Sequence, residues 1–155
     1  MAKNYMKEYK FQGDLMLGNL FNKELRKILS AYQKTHLISP IPISKLSFEQ
    51  RGFNQVELIL QNIGISYKEL LIHKGTGPNQ SSKSRQERLM APQFFDLNTE
   101  IKEEILATKK ILIIDDVYTT GRTILHAKDI IYRNKEQLYL KDKINIEIES
   151  FSLFR

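Results

Sequence analysis

Cysteine is absent from the 155 residues of this chain. Disulfide bonds, thiol nucleophiles and zinc sites built from thiolates are therefore excluded. The three histidines, His36, His73 and His126, are widely spaced and follow no metal-ligand pattern. We expect no zinc and no structural metal site formed by these residues. A metal ion that arrives with a substrate is a separate case.

Long apolar runs are lacking as well. No segment approaches the roughly 18 to 20 consecutive apolar residues that cross a bilayer, and residues 1–7 have no apolar core of a signal peptide. These absences predict a cytoplasmic protein without membrane insertion. The composition, with 41% apolar and 27% charged residues, is typical of one soluble globular domain.

Acidic residues are fewer than basic ones: the chain has 18 Asp and Glu residues and 24 Lys and Arg residues, which gives a formal net charge of +6. This excess predicts an anionic partner, either a phosphorylated small molecule or a nucleic acid. Residues 3–11 interleave aromatic and basic side chains, as surfaces that stack single-stranded DNA do. The alternative is a helix that buries the aromatic side chains and exposes the lysines, and both interpretations stay open.

The hydrophobic pattern predicts alternating helices and strands. Apolar residues at helical spacing predict helices over 14–33, from about 53 to 63, and over 123–133. Extended segments are predicted at 36–43, 66–73 and 110–114, with a last strand through Ile144, Ile146 and Ile148. This order indicates an α/β fold with a mainly parallel sheet flanked by helices. Residues 74–93, polar and without period, predict a long loop.

The segment 111–123 combines a buried strand with acidic and hydroxyl side chains. Asp115 and Asp116 follow four apolar residues, at the carboxyl end of the strand, where open α/β sheets bind ligands. Adjacent carboxylates repel each other unless partners such as the two hydroxyls of a ribose compensate them. Gly121 then permits a tight turn before a helix whose backbone N–H groups form an anion cradle. The segment therefore predicts a site for a 5-phosphoribosyl group; the alternative is a capped helix without a ligand.

This segment resembles the phosphoribosyl-pyrophosphate (PRPP) motif of type I phosphoribosyltransferases. Two further blocks, Ser39–Pro–Ile–Pro–Ile43 with Arg51–Gly–Phe–Asn–Gln55, and 80–88 followed by Phe95, are similar to signatures of the ComF family of competence proteins. The resemblance implies a type I phosphoribosyltransferase (Rossmann-like) domain over 1–155, with a hood segment at 1–35 and a core at 36–155.

The sequence departs from the family pattern in three places. The family usually has Asn near the position of Ala91 and Leu near that of Lys83. Members commonly carry an N-terminal cysteine-rich zinc ribbon, which this sequence does not contain. No function that depends on zinc is therefore carried over.

The resemblance also implies a set of site residues. Those expected to bind the ribose and 5-phosphate of PRPP are Asp115, Asp116, Val117, Tyr118, Thr119, Thr120, Gly121, Arg122 and Thr123. Those expected on the pyrophosphate side are Ile43, Ser44, Lys45, Arg51, Lys83, Arg85 and Arg88. Asp115, Asp116 and Arg88 are the expected catalytic residues, with Mg²⁺ held near the two aspartates through PRPP and water.

Each pyrophosphate-side assignment has an alternative. Residues 40–45 are equally consistent with a strand end stiffened by prolines. Asn54, next to Arg51, is at least as well placed to cap a helix as to bind a ligand. The loop 74–93 is either a lid that closes over PRPP or a disordered basic insertion.

The resemblance implies a role in DNA uptake during natural transformation, in one of two forms. The first is a phosphoribosyltransferase that replaces the pyrophosphate of PRPP with an acceptor that the sequence does not identify. The second is a non-enzymatic competence factor that handles single-stranded DNA, retains the PRPP site for binding or regulation, and contacts other competence proteins. Closure of loop 74–93 over PRPP would distinguish them.

Overall fold

The computed structural model describes residues 22–75, 93–117, 120–134 and 145–154. Several sequence predictions lie outside these ranges: the aromatic and basic segment 3–11, the start of the first helix, the basic residues Lys83, Arg85 and Arg88, and Tyr118 and Thr119 of the motif. In the part of the chain that is described, no helix is long and apolar enough to span a membrane.

Helices and strands alternate along the chain. Residues 22–33 are helical (α1). They are followed by β1 (Leu37–Pro40), α2 (Lys45–Arg51), α3 (Gln55–Asn62) and β2 (Leu71–His73). The second half contains β3 (Phe95–Leu97), a 3₁₀ turn (Thr99–Ile101), α4 (Lys102–Thr108), β4 (Lys110–Val117), α5 (Arg122–Arg133) and β5 (Glu147–Phe154).

The central sheet is parallel, with strand order β1-β4-β5, and β2 and β3 form a separate antiparallel pair. The predicted α/β fold with a mainly parallel sheet and flanking helices is confirmed. Because the three strands run in the same direction, their carboxyl ends meet at one edge. Pro40 pairs with Ile114 across β1 and β4, and Val117 pairs with Phe154 across β4 and β5.

Strand β4 is central because its residues are buried on both faces of the sheet. Ile111 and Ile113 pack into one core cluster with side chains from α4 and α5. Leu112 and Ile114 pack into a second cluster with side chains from α1 and α3. Full burial of an aliphatic side chain stabilises the fold by about 1.5 to 3 kcal/mol. Helices on both sides explain why the strand reads as a continuous apolar run instead of an alternating one.

Local structure differs from the sequence predictions in several places; α4 and β3, for example, were not predicted. Helix α2 was not predicted, because it buries none of its residues and so has no periodic apolar face. Within the expected strand 66–73, only Leu71–His73 forms β2, while the preceding residues donate single hydrogen bonds to β1, such as Lys68 N to Ile38 O at 2.9 Å. Strand β4 extends past Ile114 to Val117, so both acidic residues of the motif belong to the strand.

Candidate functional site

Asp115 and Asp116 lie at the carboxyl edge of β4. Asp115 is buried, with 8% of its surface exposed, and pairs with Ser152 of β5. The N–H of Asp116 donates to Oδ1 of Asp115 at 3.0 Å, and the N–H of Val117 donates to Oδ1 of Asp116 at 2.7 Å. These local bonds fix both carboxyl groups against the backbone of the strand end.

The acidic groups at the opposite edge of the sheet are paired. Oε1 of Glu149 lies 3.0 Å from Nε2 of His36, and Oε2 of Glu149 accepts a hydrogen bond from a tyrosine hydroxyl. Glu147 pairs with Lys110 at 2.7 Å. Within the described ranges, by contrast, neither carboxylate of the motif forms a salt bridge. The carboxyl edge of the sheet therefore carries acidic groups that no described basic side chain compensates.

Burial raises the pKa of Asp115 to about 7 from an ordinary value of 3.8, and the adjacent negative charge of Asp116 contributes in the same direction. The hydrogen bond from the backbone N–H of Asp116 partly offsets the increase. Near neutral pH the Asp115 carboxyl group is consequently divided between its neutral and ionised forms. Hydroxyl donors or a cation at this edge would favour the ionised form.

The turn after β4 leads directly into α5. Gly121 occupies the N-cap with φ of +69°, in the left-handed region, where a side chain would be strained. The N–H of Leu125 donates to the Gly121 carbonyl at 3.0 Å, and the N–H of Arg122 donates to Oγ1 of Thr120 at 3.4 Å. Gly121 itself has no side chain that could cap the helix. Its first N–H groups and the positive end of its dipole are suited to an anion.

The stretch after β1 reaches the same edge of the sheet. The N–H of Ile41 donates to the Ile114 carbonyl at 2.8 Å, one residue past the end of β1. Ser44 is the N-cap of α2, where its Oγ accepts from the N–H of Ser47 at 3.1 Å. Ile43 and Ser44 are half-buried, and Lys45 is exposed. These three predicted residues therefore follow a strand end that lies beside β4.

Arg51 is in the last turn of α2 and is exposed. Asn54, three residues further along the chain, is buried, with 5% of its surface exposed. It caps α3, because its Oδ1 accepts a hydrogen bond from the N–H of Val56 at 3.1 Å. The capping interpretation of Asn54 is thus confirmed. Its Nδ2 also donates to the Ile41 carbonyl at 3.0 Å, so this residue joins α3 to the stretch after β1.

Sequence reasoning missed the contacts of Gln93 and Phe94 with α5. Nε2 of Gln93 donates to the His126 carbonyl at 2.9 Å and to Oδ2 of Asp129 at 3.3 Å. Phe94 lies against the His126 ring, with centroids 4.7 Å apart. These contacts join residues more than thirty positions apart, and no local sequence pattern indicates them.

The donor atoms fit the metal ion that the resemblance implies. In the described ranges no group of three or more acidic or histidine side chains could hold a metal ion without further ligands. Two carboxylates are suited to Mg²⁺, which prefers oxygen ligands and commonly keeps several from substrate and water. Such an ion would lie near Asp115 and Asp116, held through oxygens of a bound ligand and water.

Comparison with known proteins identifies relatives over most of the chain, although no model of a protein family matches the sequence. The chain is 37% identical over 153 residues to competence protein ComFC of Streptococcus pneumoniae (strain ATCC BAA-255 / R6), an alignment that covers 99% of this chain and 63% of that protein. It is 34% identical over 126 residues to competence protein ComFC of Bacillus subtilis (strain 168), which covers 80% of this chain and 50% of that protein.

The chain spans less than two thirds of the length of these two relatives. Over that span the relationship extends through β1, β4 and the turn into α5, since nearly all residues of the chain are aligned with the streptococcal protein. The resemblance inferred from the sequence blocks is confirmed: this chain is similar to the ComFC competence proteins across most of its own length.

Proposed function

We propose that this chain binds PRPP in the manner of a type I phosphoribosyltransferase and acts in DNA uptake during competence. One observation carries the proposal: the central parallel strand ends in two aspartates that pair with no described basic side chain, and the turn that follows leads into α5 through a glycine N-cap. The residues proposed to bind the ribose (the ribose grip) are thus followed directly in the chain by those proposed to bind the phosphate (the phosphate grip). The competence role is supported by the two relatives, both named competence protein ComFC.

The ribose grip is assigned to Asp115 and Asp116. Carboxylates accept hydrogen bonds from hydroxyl groups, and such charge-assisted bonds are about twice as strong as neutral ones. Binding of a ribose diol stabilises the ionised form of Asp115, whose pKa is raised to about 7 by burial and by Asp116. Ligand binding near neutral pH is therefore accompanied by release of a proton from this site.

The phosphate grip is assigned to the turn and the first residues of α5. Backbone N–H groups of the first helical turn and the hydroxyls of Thr120 and Thr123 are the donors. The left-handed conformation of Gly121 brings the chain from the strand into the helix without a side chain in the turn. A helix N-terminus favours the dianionic phosphate through its dipole as well as through these hydrogen bonds.

Transfer of the phosphoribosyl group is the finer part of the proposal. Mg²⁺ bound with PRPP would neutralise charge on the pyrophosphate. The residues of this chain would fix the ribose and the 5-phosphate, so that an acceptor approaches C1 opposite the leaving group. Arg88, in the 76–92 segment, would stabilise the departing pyrophosphate. Catalysis would rest on positioning and charge stabilisation, without a covalent intermediate on the protein.

Calorimetric titration of the chain with inorganic phosphate, ribose 5-phosphate and PRPP with Mg²⁺ tests the proposal. We expect affinity to increase in that order, because each ligand adds a group for which the site has a grip. Release of pyrophosphate from PRPP in the presence of a panel of purines, pyrimidines and their precursors then tests transfer. Absence of binding of all three ligands would contradict the proposed function.

A second candidate function is the handling of single-stranded DNA. It is favoured by helix α2, which buries none of its residues. Phe48 of this helix has 53% of its surface exposed, and the basic residues Lys45 and Arg51 lie at the two ends of the helix. Exposed aromatic rings stack on bases, and neighbouring basic side chains contact phosphates. In this alternative the PRPP site serves binding or regulation instead of transfer.

A further inference from the structure

Two side chains of α5 carry buried nitrogen atoms that have no hydrogen-bond partner among the described residues. They are Nε of Arg122 and Nε2 of His126. His126 is 6% exposed, whereas Arg122 is half-buried. The two residues are one helical turn apart, at positions i and i+4, so their side chains share one flank of the 12-residue helix.

An unpaired nitrogen of this kind is unfavourable. The Nε–H of the positively charged Arg122 guanidinium is a donor and cannot accept a hydrogen bond. A buried polar group without a partner costs about 1 to 3 kcal/mol, and more when it is charged. A negatively charged acceptor would satisfy the Nε–H of Arg122. None of the described carboxylates forms an ion pair with this side chain.

The nearby acidic side chain is already engaged. Asp129 accepts from Nε of Arg133 at 2.9 Å and from Gln93 at 3.3 Å. The charged groups that act on the His126 ring are Arg122 and Arg133, which lower its pKa, and Asp129, which raises it. Burial is the largest cause, and the pKa of His126 is lower than its ordinary value. In the segment packed against the ring, Gln93 and Phe94 are uncharged.

General helix geometry favours side chains that incline toward the beginning of the helix. In an α-helix the Cα–Cβ bonds tilt toward the N-terminus, so a side chain covers the turn that precedes its own Cα. By this geometry we expect His126 to lie on the Arg122 side, in agreement with the effect of the Arg122 charge on its pKa. We expect Arg122, the first residue of α5, to incline toward the turn at Thr120 and Gly121.

We propose that Arg122 and His126 extend the phosphate site along the flank of α5, with Nε of Arg122 and Nε2 of His126 donating to one phosphate group. This inference rests on the proposed function, because the phosphate is taken to be the 5-phosphate of the ligand in the adjacent turn. It assigns a donor atom to Arg122, which the sequence already places in the motif, and adds His126, which lies outside the motif. These donors select a phosphate dianion over a neutral group of the same size.

Calorimetry with inorganic phosphate and with ribose 5-phosphate tests this site. Arg122→Gln removes the charge, and His126→Phe keeps a ring that can stack on Phe94 but has no nitrogen. Arg26→Gln is the matched control, an exposed arginine on α1 that has no described contact with α5. Loss of one charge-assisted bond corresponds to about a tenfold weaker affinity for Arg122→Gln. We expect a smaller loss for His126→Phe and no change for Arg26→Gln, with either ligand.

A second measurement does not depend on variants that fold. In the NMR spectrum of the wild-type chain, addition of inorganic phosphate should shift the imidazole resonances of His126 and raise its titration midpoint. The resonances of His36, which lies before β1, should stay unchanged. Wild-type phosphate affinity in folded Arg122→Gln and His126→Phe, together with an unresponsive His126 ring, would overturn this inference.

The inference and the proposed function fail in different ways. If wild type binds inorganic phosphate through Arg122 and His126 but gains nothing from the ribose of ribose 5-phosphate, the ribose grip and the proposed function fail while this site stands. If wild type binds ribose 5-phosphate and PRPP tightly and the two variants do so equally well, the proposed function stands and this site is overturned.

Discussion

The side-chain amide of Asn54 donates a 3.0 Å hydrogen bond to the carbonyl oxygen of Ile41, across thirteen residues of sequence. The same side chain caps α3 through its oxygen and donates to Glu57 at 2.8 Å. Burial raises the pKa of Glu57, the charge of Glu69 adds to the increase, and the bond from Asn54 opposes it. Asn54 is therefore the residue that fixes the stretch after β1 to the helix that follows it.

Replacement of Asn54 should lower the free energy of unfolding through two contributions that different variants separate. Asn54→Ser retains a capping oxygen but loses the bond to Ile41, whereas Asn54→Ala loses both. Loss of an N-cap costs about 0.5 to 2 kcal/mol, and the unpaired Ile41 carbonyl adds about 1 to 3 kcal/mol. Urea unfolding should rank the chains as wild type, then Ser, then Ala. Equal stability of the two variants would contradict the separate role of the cap.

Stability should depend on pH through Asp115. Its carboxyl group has a pKa of about 7 in the folded chain against 3.8 ordinarily, so the folded chain binds the proton more tightly. The resulting stabilisation is fully present below about pH 4 and is lost as the pH rises through about 7. The shift corresponds to an upper bound of about 4 kcal/mol.

Asp115→Asn should remove this dependence, because the amide does not titrate. Urea unfolding at intervals between pH 4 and pH 8 measures it. Glu103→Gln, at an exposed position on α4, is the control and should keep the wild-type profile. A profile in Asp115→Asn that declines as steeply as that of wild type would show that another group is responsible.

The ribose and phosphate grips should separate by mutation. Asp116→Asn keeps the size of the side chain but removes a charge, so ribose 5-phosphate should bind about ten- to a hundredfold more weakly while inorganic phosphate is unaffected. Gly121→Val places a branched side chain at φ of +69° and should weaken both ligands. Calorimetry on variants with wild-type circular dichroism makes the comparison. Equal losses for the two ligands in Asp116→Asn would assign Asp116 to the fold.

Arg88 is expected to act on the pyrophosphate alone. Arg88→Ala should weaken PRPP binding with Mg²⁺ by about tenfold or more and leave ribose 5-phosphate binding unchanged, since only PRPP carries the second anionic group. Arg133→Ala serves as a control for the loss of one positive charge. If both arginine variants lower PRPP affinity equally, the effect is that of net charge and the assignment of Arg88 is wrong.

Single-stranded DNA should bind weakly and without sequence preference if α2 is its contact surface. Fluorescence anisotropy with a labelled oligonucleotide should show affinity that falls steeply with salt, because neutralised phosphates release counterions. Phe48→Ala should weaken binding through lost stacking, which is worth about 1 to 3 kcal/mol per base. Tyr132→Ala, at an equally exposed aromatic residue on α5, should not. Absence of binding at low salt would remove DNA handling from this chain.

Some parts of the fold and of the candidate site follow from residue patterns that are local in the sequence. The run Ile111–Ile114 has to be buried on both faces, which places it in a central parallel strand and the following aspartates at its carboxyl end. Gly121 and the apolar residues of α5 likewise marked a turn and a helix that packs on the sheet. These features depend on residues close in sequence, so periodicity and residue type suffice to predict them.

The hydrogen bonds and ion pairs between residues that are distant in sequence became known only from the tertiary structure. The Asn54 bond to Ile41, the Gln93 bond to the His126 carbonyl and the ion pairs at the amino edge of the sheet join residues that no local pattern links. Burial of Asp115 beside Asp116, and with it the raised pKa, likewise depends on how helices cover the strand end. The physical reason is that desolvation and hydrogen bonding depend on neighbours in space, which the chain acquires only when the sheet and helices pack together.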